Sequence, residues 1–422
     1  MDKFVIDGAH PLKGKIKADG SKNAALPILL AALLTDEECV IKRVPLLRDI
    51  ETTFKLLEYH GKKVSYSKGT VTIKPHHKLR TDAPYELVKQ MRASVLVAGP
   101  LLARFHKASV PLPGGCAIGL RPIDIHITAL AQLGAQIDNS SGNLILKAAK
   151  LHPAKIRFPF PSVGATEHLM MCAAIVPGKT VLDNVAMEPE IDDLMDFLLK
   201  MGAQMRREPG NRIVIEGVKK LRGAMHSVIA DRVETGTYLL AAAATRGRIT
   251  LQDACPEHLA SVLEHLKNAG VGISYTADSI TVDASKARPR AVSIHTQPHP
   301  GFPTDLQAPW MSLMCVSRGS AEVKEDIFEN RFMHAPELAR MGALIAVDGH
   351  TAAVEGVEKL SGAEVMASDI RGGAALVVAG LAAHGQTTVQ RIYHIDRGYE
   401  RMEKKLAALG AKIRRVRDRK KA

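Results

Sequence analysis

The sequence predicts an α/β protein of two inside-out domains, in which sheets enclose apolar helices and each domain holds three copies of a β-α-β-α-β-β unit. Three observations lead there. A helix-like segment ending in Leu-x-x-x-Gly-Ala or a close variant occurs six times, with its glycine at Gly61, Gly134, Gly202, Gly270, Gly342 and Gly410, a period of about 70 residues. An alanine-rich segment precedes each of these and reads as a second, apolar helix, whose small side chains let helix axes approach closely. At 422 residues the chain exceeds one ordinary core, so six units divide naturally into two sets of three. A linear solenoid would need polar capping repeats at its ends, and none are present.

The elements follow in order. The alanine-rich helices are expected at residues 23–30, 93–104, 165–176, 234–245, 308–318 and 371–383. Asn23 reads as the N-cap of the first, and Pro27 is compatible with it only if the helix starts nearby. Short strands follow at 38–41, 108–110, 180–182, 248–251, 321–323 and 387–389. Each periodic glycine suits the C′ position of the second helix, where a left-handed backbone ends the helix. Hairpin-like pairs come next, such as 64–66 with 71–73 and 136–138 with 144–147.

Composition narrows the function. Apolar residues make up 46% and aromatics 4%, as in a globular protein with an Ala, Val, Ile and Leu core. The longest apolar run, 24–34, is broken by Pro27 and falls short of the roughly 18 residues of a membrane helix. The N-terminus shows no secretory pattern, so a cytoplasmic location and no membrane partner are expected. Cys39, Cys116, Cys172, Cys255 and Cys315 are widely spaced and odd in number, which argues against disulfides and zinc; four of them read as core, and no cofactor or metal is expected. Of the net charge of +13, residues 412–421 supply six; the rest is thinly spread and aromatics are scarce, so small anionic ligands are expected in place of nucleic acid.

The densest chemistry lies in Pro111-Leu112-Pro113-Gly114-Gly115-Cys116-Ala117-Ile118-Gly119-Leu120-Arg121-Pro122. Its glycines and prolines predict an adjustable loop, and Arg121 would favour both a thiolate at Cys116 and an anionic substrate beside it. Lys22 precedes the first helix, where free backbone N–H groups favour anions. Further charged or polar groups stand at equivalent unit junctions: Arg92, Ser162-Val163-Gly164, Asp231-Arg232-Val233-Glu234, Pro303-Thr304-Asp305 and Ser368-Asp369-Ile370-Arg371.

These stretches, with Glu188-Pro189-Glu190-Ile191, Phe328-Glu329-Asn330-Arg331-Phe332-Met333-His334 and Tyr393-His394-Ile395-Asp396-Arg397-Gly398-Tyr399-Glu400, run from end to end of the chain. Together they resemble the UDP-N-acetylglucosamine 1-carboxyvinyltransferases, the enolpyruvyl transferases that open peptidoglycan synthesis. The resemblance implies two pseudo-threefold inside-out domains, residues 22–229 and residues 1–21 with 230–422, with the active site in the cleft between them. It implies transfer of enolpyruvate from phosphoenolpyruvate to the sugar 3′-hydroxyl by addition and then elimination of phosphate. Cys116 matches the general acid and Asp305 the base, with Lys22 and Arg397 completing the catalytic set. Lys22, Asn23, Arg121, Arg331, Arg371 and Arg397 match phosphoenolpyruvate contacts. Arg92, Arg121, Pro122, Ile123, Asp124, Ile125, Ser162, Val163, Gly164, Asp305 and Ile327 match contacts to the nucleotide sugar. Phe160-Pro161 stands where some members carry lysine, and Leu120 where a smaller residue is familiar. Cys116 implies sensitivity to thiol-directed epoxides. The rivals are 5-enolpyruvylshikimate-3-phosphate synthase, which lacks the cysteine loop, and an inactive nucleic-acid-binding protein on this fold, which would not need Lys22, Cys116, Asp305 and Arg397 together.

Overall fold

The computed structural model describes residues 2–112, 123–140 and 142–417. They form two compact units, one of residues 2–19 with 230–417, the other of residues 20–112, 123–140 and 142–229.

In the first unit the helices Arg232–Ala244, Gln307–Cys315 and Ile370–Ala382 pack against one another. They are apolar all round and buried along nearly their whole length, as helices enclosed by other elements must be. Ser312 Oγ donates to the Ala375 carbonyl at 2.8 Å, a direct bond between two of them. Three four-stranded sheets surround this bundle, all with one strand order. Lys13–Lys17 pairs parallel to Arg248–Gln252, which pairs antiparallel to Ser279–Asp283, with Gly272–Tyr275 at the edge. The second sheet repeats this with Ile294–Thr296, Ser320–Glu325, Thr351–Glu355 and Leu344–Asp348.

The third sheet departs from six complete hairpins. Glu364–Met366 lies parallel to Gln386–Gln390, but the next strand is Lys3–Asp7 from the other end of the chain, with Lys412–Val416 outside it. The sixth unit supplies one hairpin strand and the N-terminal segment supplies the other.

In the second unit the buried helices are Lys22–Ala31, Ala98–Phe105 and Val163–Ala173. Sheets of the same order form around Cys39–Lys42 and Gly178–Asp183. The third, around Lys107–Pro111, has three strands, and a single parallel bridge from Asp82 to Ser109 stands where the fourth would be. Five expected helices form near their predicted bounds. The one expected at 93–104 is a 3-10 turn, Arg92–Val97, followed by the α-helix Ala98–Phe105. Pro100 has no N–H to bond back to Leu96, so the α-helical register starts just before it.

All six periodic glycines have positive φ, from 84° to 101°. Gly134 shows why: its N–H reaches the Ala131 carbonyl at 2.9 Å and that of Ala135 reaches Leu130 at 3.2 Å, which ends the helix in the left-handed turn that glycine adopts without strain. Cys39, Cys172 and Cys315 are core residues, and burial pushes the thiols of the last two up to about 12. Cys255, expected in the core, is half-buried, because it begins a turn and lies on no buried face. No helix among the described residues is long and apolar enough to cross a membrane.

Candidate active site

Four of the six buried helices named above start with a side-chain cap, which fixes what the junction before them presents. At the first, Ser21 is the N-cap and not Asn23: Ser21 Oγ accepts the Ala24 N–H at 3.3 Å, so Lys22 and Asn23 fall in the first turn. Pro27 consequently lies inside the helix. Lys22 is buried, with Nζ 3.6 Å from a carboxylate oxygen of Asp49, itself buried in the first turn of the helix Arg48–Tyr59. A buried ammonium beside a buried carboxylate is held in one place, as an anion-binding lysine needs to be. Sequence reasoning did not single out Asp49.

Around His126 the same unit gathers several predicted residues. Arg92 opens the 3-10 turn, and its charge, after burial, helps hold His126 down at about 4. Ser162 caps the helix Val163–Ala173 through a 3.3 Å bond from the Ala165 N–H, which puts Val163 and Gly164 in its first turn. Gly164 backs onto His126, where a Cβ would stand 3.3 Å from Cε1. Ile123 is buried, and Asp124 and Ile125 start the helix Asp124–Gln132. Asp124, Ile125, Phe158 and Pro159 help line a small surface pocket. His126 Nδ1 lies 3.0 Å from Nδ1 of His168, and burial holds His168 well below its ordinary value too, so burial favours the neutral ring in both and one Nδ1–H donates to the other Nδ1.

The other unit holds the tightest constellation. Pro303 precedes the 3-10 turn Thr304–Leu306, which carries Asp305 at the head of the helix Gln307–Cys315. Asp305 Oδ1 is 2.5 Å from Arg331 Nη2 and Oδ2 is 2.8 Å from Arg371 Nη2. Both guanidiniums are buried, with side chains 4% and 7% exposed, while the carboxylate is 27% exposed. Burial opposes the charge on Arg371, but Asp305 and the Tyr399 hydroxyl, 3.3 Å from Nη1, keep it firmly protonated. Arg331 also stacks over the Phe328 ring at 5.1 Å.

Asp369 anchors this cluster. Its Oδ1 accepts the Arg371 and Gly372 N–H groups at 2.9 and 3.0 Å, so it caps the helix that aims Arg371. Burial opposes its charge, yet the Gly372 amide and the Arg331 guanidinium hold its carboxyl below the ordinary range. His334, fully buried nearby, is pushed down to about 4 by that burial. Asp231 caps the equivalent helix in the same way, through Val233 and Glu234. The sequence showed both aspartates at charged junctions; an aspartate just before a helical run was the signal for a cap. Arg397 ends the turn Ile395–Arg397, and the following Gly398 packs beside Ile370 and Arg371. The Arg397 charge, second to burial, holds His394 down. Ile327 donates its peptide N–H to Glu325.

Structure thus brings Asp305, Arg331 and Arg371 into contact, and gathers Arg92, Asp124 and Ser162–Gly164 near His126. Cys116, Arg121 and Pro122 lie outside the described residues. Among those residues no group of three or more His, Cys, Asp or Glu side chains is placed to hold a metal ion.

The sequence pattern of the EPSP synthase (3-phosphoshikimate 1-carboxyvinyltransferase) family matches residues 6–406. A UDP-N-acetylglucosamine 1-carboxyvinyltransferase of Elusimicrobium minutum is 56% identical over 419 residues, 99% of each chain. The chain belongs to the EPSP synthase family, among its UDP-N-acetylglucosamine 1-carboxyvinyltransferases. The enzyme of that name from Sorangium cellulosum is 51% identical over 99% of this chain and 100% of its own. Among solved structures, the enolpyruvyl transferase NikO of Streptomyces tendae superposes with a TM-score of 0.88 at 24% identity, over 98% of this chain and 99% of its own. An EPSP synthase of Acinetobacter baumannii superposes with a TM-score of 0.76 at 17% identity, over 99% and 100%. At those identities the two likenesses speak for the enolpyruvyl transferase fold, the one described above.

Proposed function

We propose that this enzyme moves the enolpyruvyl group of phosphoenolpyruvate onto the 3′-hydroxyl of UDP-N-acetylglucosamine, releasing phosphate, as the entry step of peptidoglycan synthesis. The observation that carries the reading is the Asp305 carboxylate between two buried guanidiniums, in a chain 56% identical over 99% of its length to a relative of that name.

The chemistry accounts for the residue types. Phosphoenolpyruvate carries a phosphate and a carboxylate on three carbons, so its site needs several fixed cations in a water-poor setting. Lys22, Arg121, Arg331, Arg371 and Arg397 take that role, with Asn23 beside Lys22. Addition puts a proton on the methylene carbon while the sugar oxygen bonds to the central carbon and loses its own proton. Cys116 gives the first proton and Asp305 takes the second; elimination then takes a proton off the new methyl group as phosphate leaves the central carbon, which restores the double bond. Arg92, Arg121 to Ile125, Ser162 to Gly164, Asp305 and Ile327 hold the nucleotide sugar, with helix N-termini turned to its diphosphate. The work is cytoplasmic, with small molecules as partners and neither nucleic acid nor membrane.

The test is phosphate release from phosphoenolpyruvate with UDP-N-acetylglucosamine, for the wild type and Cys116→Ala. Release that needs the sugar and is lost in the variant is expected. Release with shikimate 3-phosphate in its place would move the chain to the sister reaction, and release with neither would overturn the reading.

A further inference from the structure

Glu325 stands where the strand pattern calls for an apolar residue. In Ser320–Glu325 the inward positions are Ala321, Val323 and Glu325, and Glu325 is 0% exposed. A buried carboxylate is costly unless its oxygens are bonded, and these are. Oε2 accepts the Thr304 hydroxyl at 2.7 Å, while Oε1 accepts the peptide N–H groups of Ile327 at 2.8 Å and Phe328 at 3.0 Å. The residue's own backbone is pinned to His350, its N–H reaching the His350 carbonyl at 2.8 Å.

Those bonds join two segments of different origin. Thr304 neighbours Asp305, and the Thr304 carbonyl accepts Arg331 Nη2 at 3.4 Å. Phe328 lies under the Arg331 guanidinium, which also grips Asp305. A closed circuit results, from Glu325 through Thr304 to Asp305, through Arg331 to Phe328, and back to Glu325. We infer that Glu325 is a positioning residue, which sets the place of Asp305 and the Ile327–Phe328 turn relative to each other without touching substrate. The inference rests on the reading of Asp305 as the proton acceptor.

Glutamine can keep all three contacts, since its carbonyl accepts the two peptide N–H groups and its amide donates to Thr304 Oγ. Alanine keeps none. A displacement of about 1 Å at a reacting group costs on the order of 100-fold in rate, so Glu325→Ala is expected to lower kcat roughly 30- to 100-fold, and Glu325→Gln to restore it within about 5-fold. Thr304→Val removes one bond and leaves the Ile327 turn held, so kcat should fall about 3- to 10-fold with KM for the nucleotide sugar moved less than kcat. Steady-state kinetics beside circular dichroism and melting of each variant decide the matter. Full kcat in folded Glu325→Ala, or in Thr304→Val should the alanine variant not fold, overturns the inference. So does a Glu325→Gln protein that is folded but as slow as Glu325→Ala. A wild type without turnover would instead count against the proposed function.

Discussion

Asp305 occupies the cations that phosphoenolpyruvate is proposed to use, so the free enzyme holds an anion of its own on Arg331 and Arg371. Asp305→Asn keeps the shape and removes the charge. Unit charges about 4 Å apart at an effective dielectric near 20 attract by about 4 kcal/mol, and a hydrogen bond to a charged group contributes about 1.5–3 kcal/mol net. With contacts of 2.5 and 2.8 Å on two guanidiniums less than a tenth exposed, an incoming anion must displace an interaction at the upper end of that range. Neutralising Asp305 should therefore strengthen binding of inorganic phosphate by about 1.5–3 kcal/mol, on the order of 10- to 100-fold at about 1.4 kcal/mol per decade. Turnover should fall 100-fold or more in the same protein, because the proposed proton acceptor is gone. Calorimetric titration of wild type and variant with phosphate reads the first quantity, with Arg371→Ala as the control that should lose binding. Equal or weaker phosphate binding by Asp305→Asn would refute the reasoning, since the carboxylate would then not be competing for those cations.

Three other outcomes follow from the geometry. Gly236→Ala would place a Cβ 2.4 Å from Leu306 Cδ1, so it should cost about 1–3 kcal/mol in stability and lower kcat by shifting the residue next to Asp305; melting and kinetics together check this. Lys22→Ala should abolish turnover and destabilise the fold by about 1–3 kcal/mol, read by denaturant unfolding, because a buried carboxylate at Asp49 loses a cation. His126 and His334 are held near 4 by burial whereas an unfolded histidine titrates near 6.5, so the unfolded chain takes up protons first and stability, complete above about pH 6.5, is lost as pH falls toward 4. Each accounts for about 2 kcal/mol at pH 5; His334→Gln should lose less melting temperature between pH 7.5 and 5 than the wild type, and a parallel loss would contradict it.

Much of the architecture was legible because it rests on local chemistry repeated six times. A glycine such as Gly270 is demanded by its own backbone angle, and helices such as Arg232–Ala244 announce burial by being apolar on every face. What local reading missed has a tertiary cause. Ser21 won the cap from Asn23 because its hydroxyl sits three residues before the Ala24 amide, and the chain leading in is fixed by a 2.8 Å bond from Ser21 N to the Ile229 carbonyl. The sixth hairpin borrows Lys3–Asp7, which no periodicity near residue 412 could announce. Candidate site residues were named individually from resemblance, but the grip of Arg331 and Arg371 on Asp305 joins positions 26 and 66 apart, and Glu325 drew no notice because an inward carboxylate looks like a solvated one until its partners are seen.

The borrowed strand also bears on how the chain is made. Lys3–Asp7 leaves the ribosome long before the strands it pairs with, and has no partner until residues 386–390 and 412–416 have followed. At a synthesis rate of about 5–20 residues per second it waits roughly 20–80 seconds, while the unit of residues 20–229 has all its own strands in hand well before that. For this one strand, early synthesis is therefore not early pairing, and the sheet it completes closes only when the far end of the chain has been made.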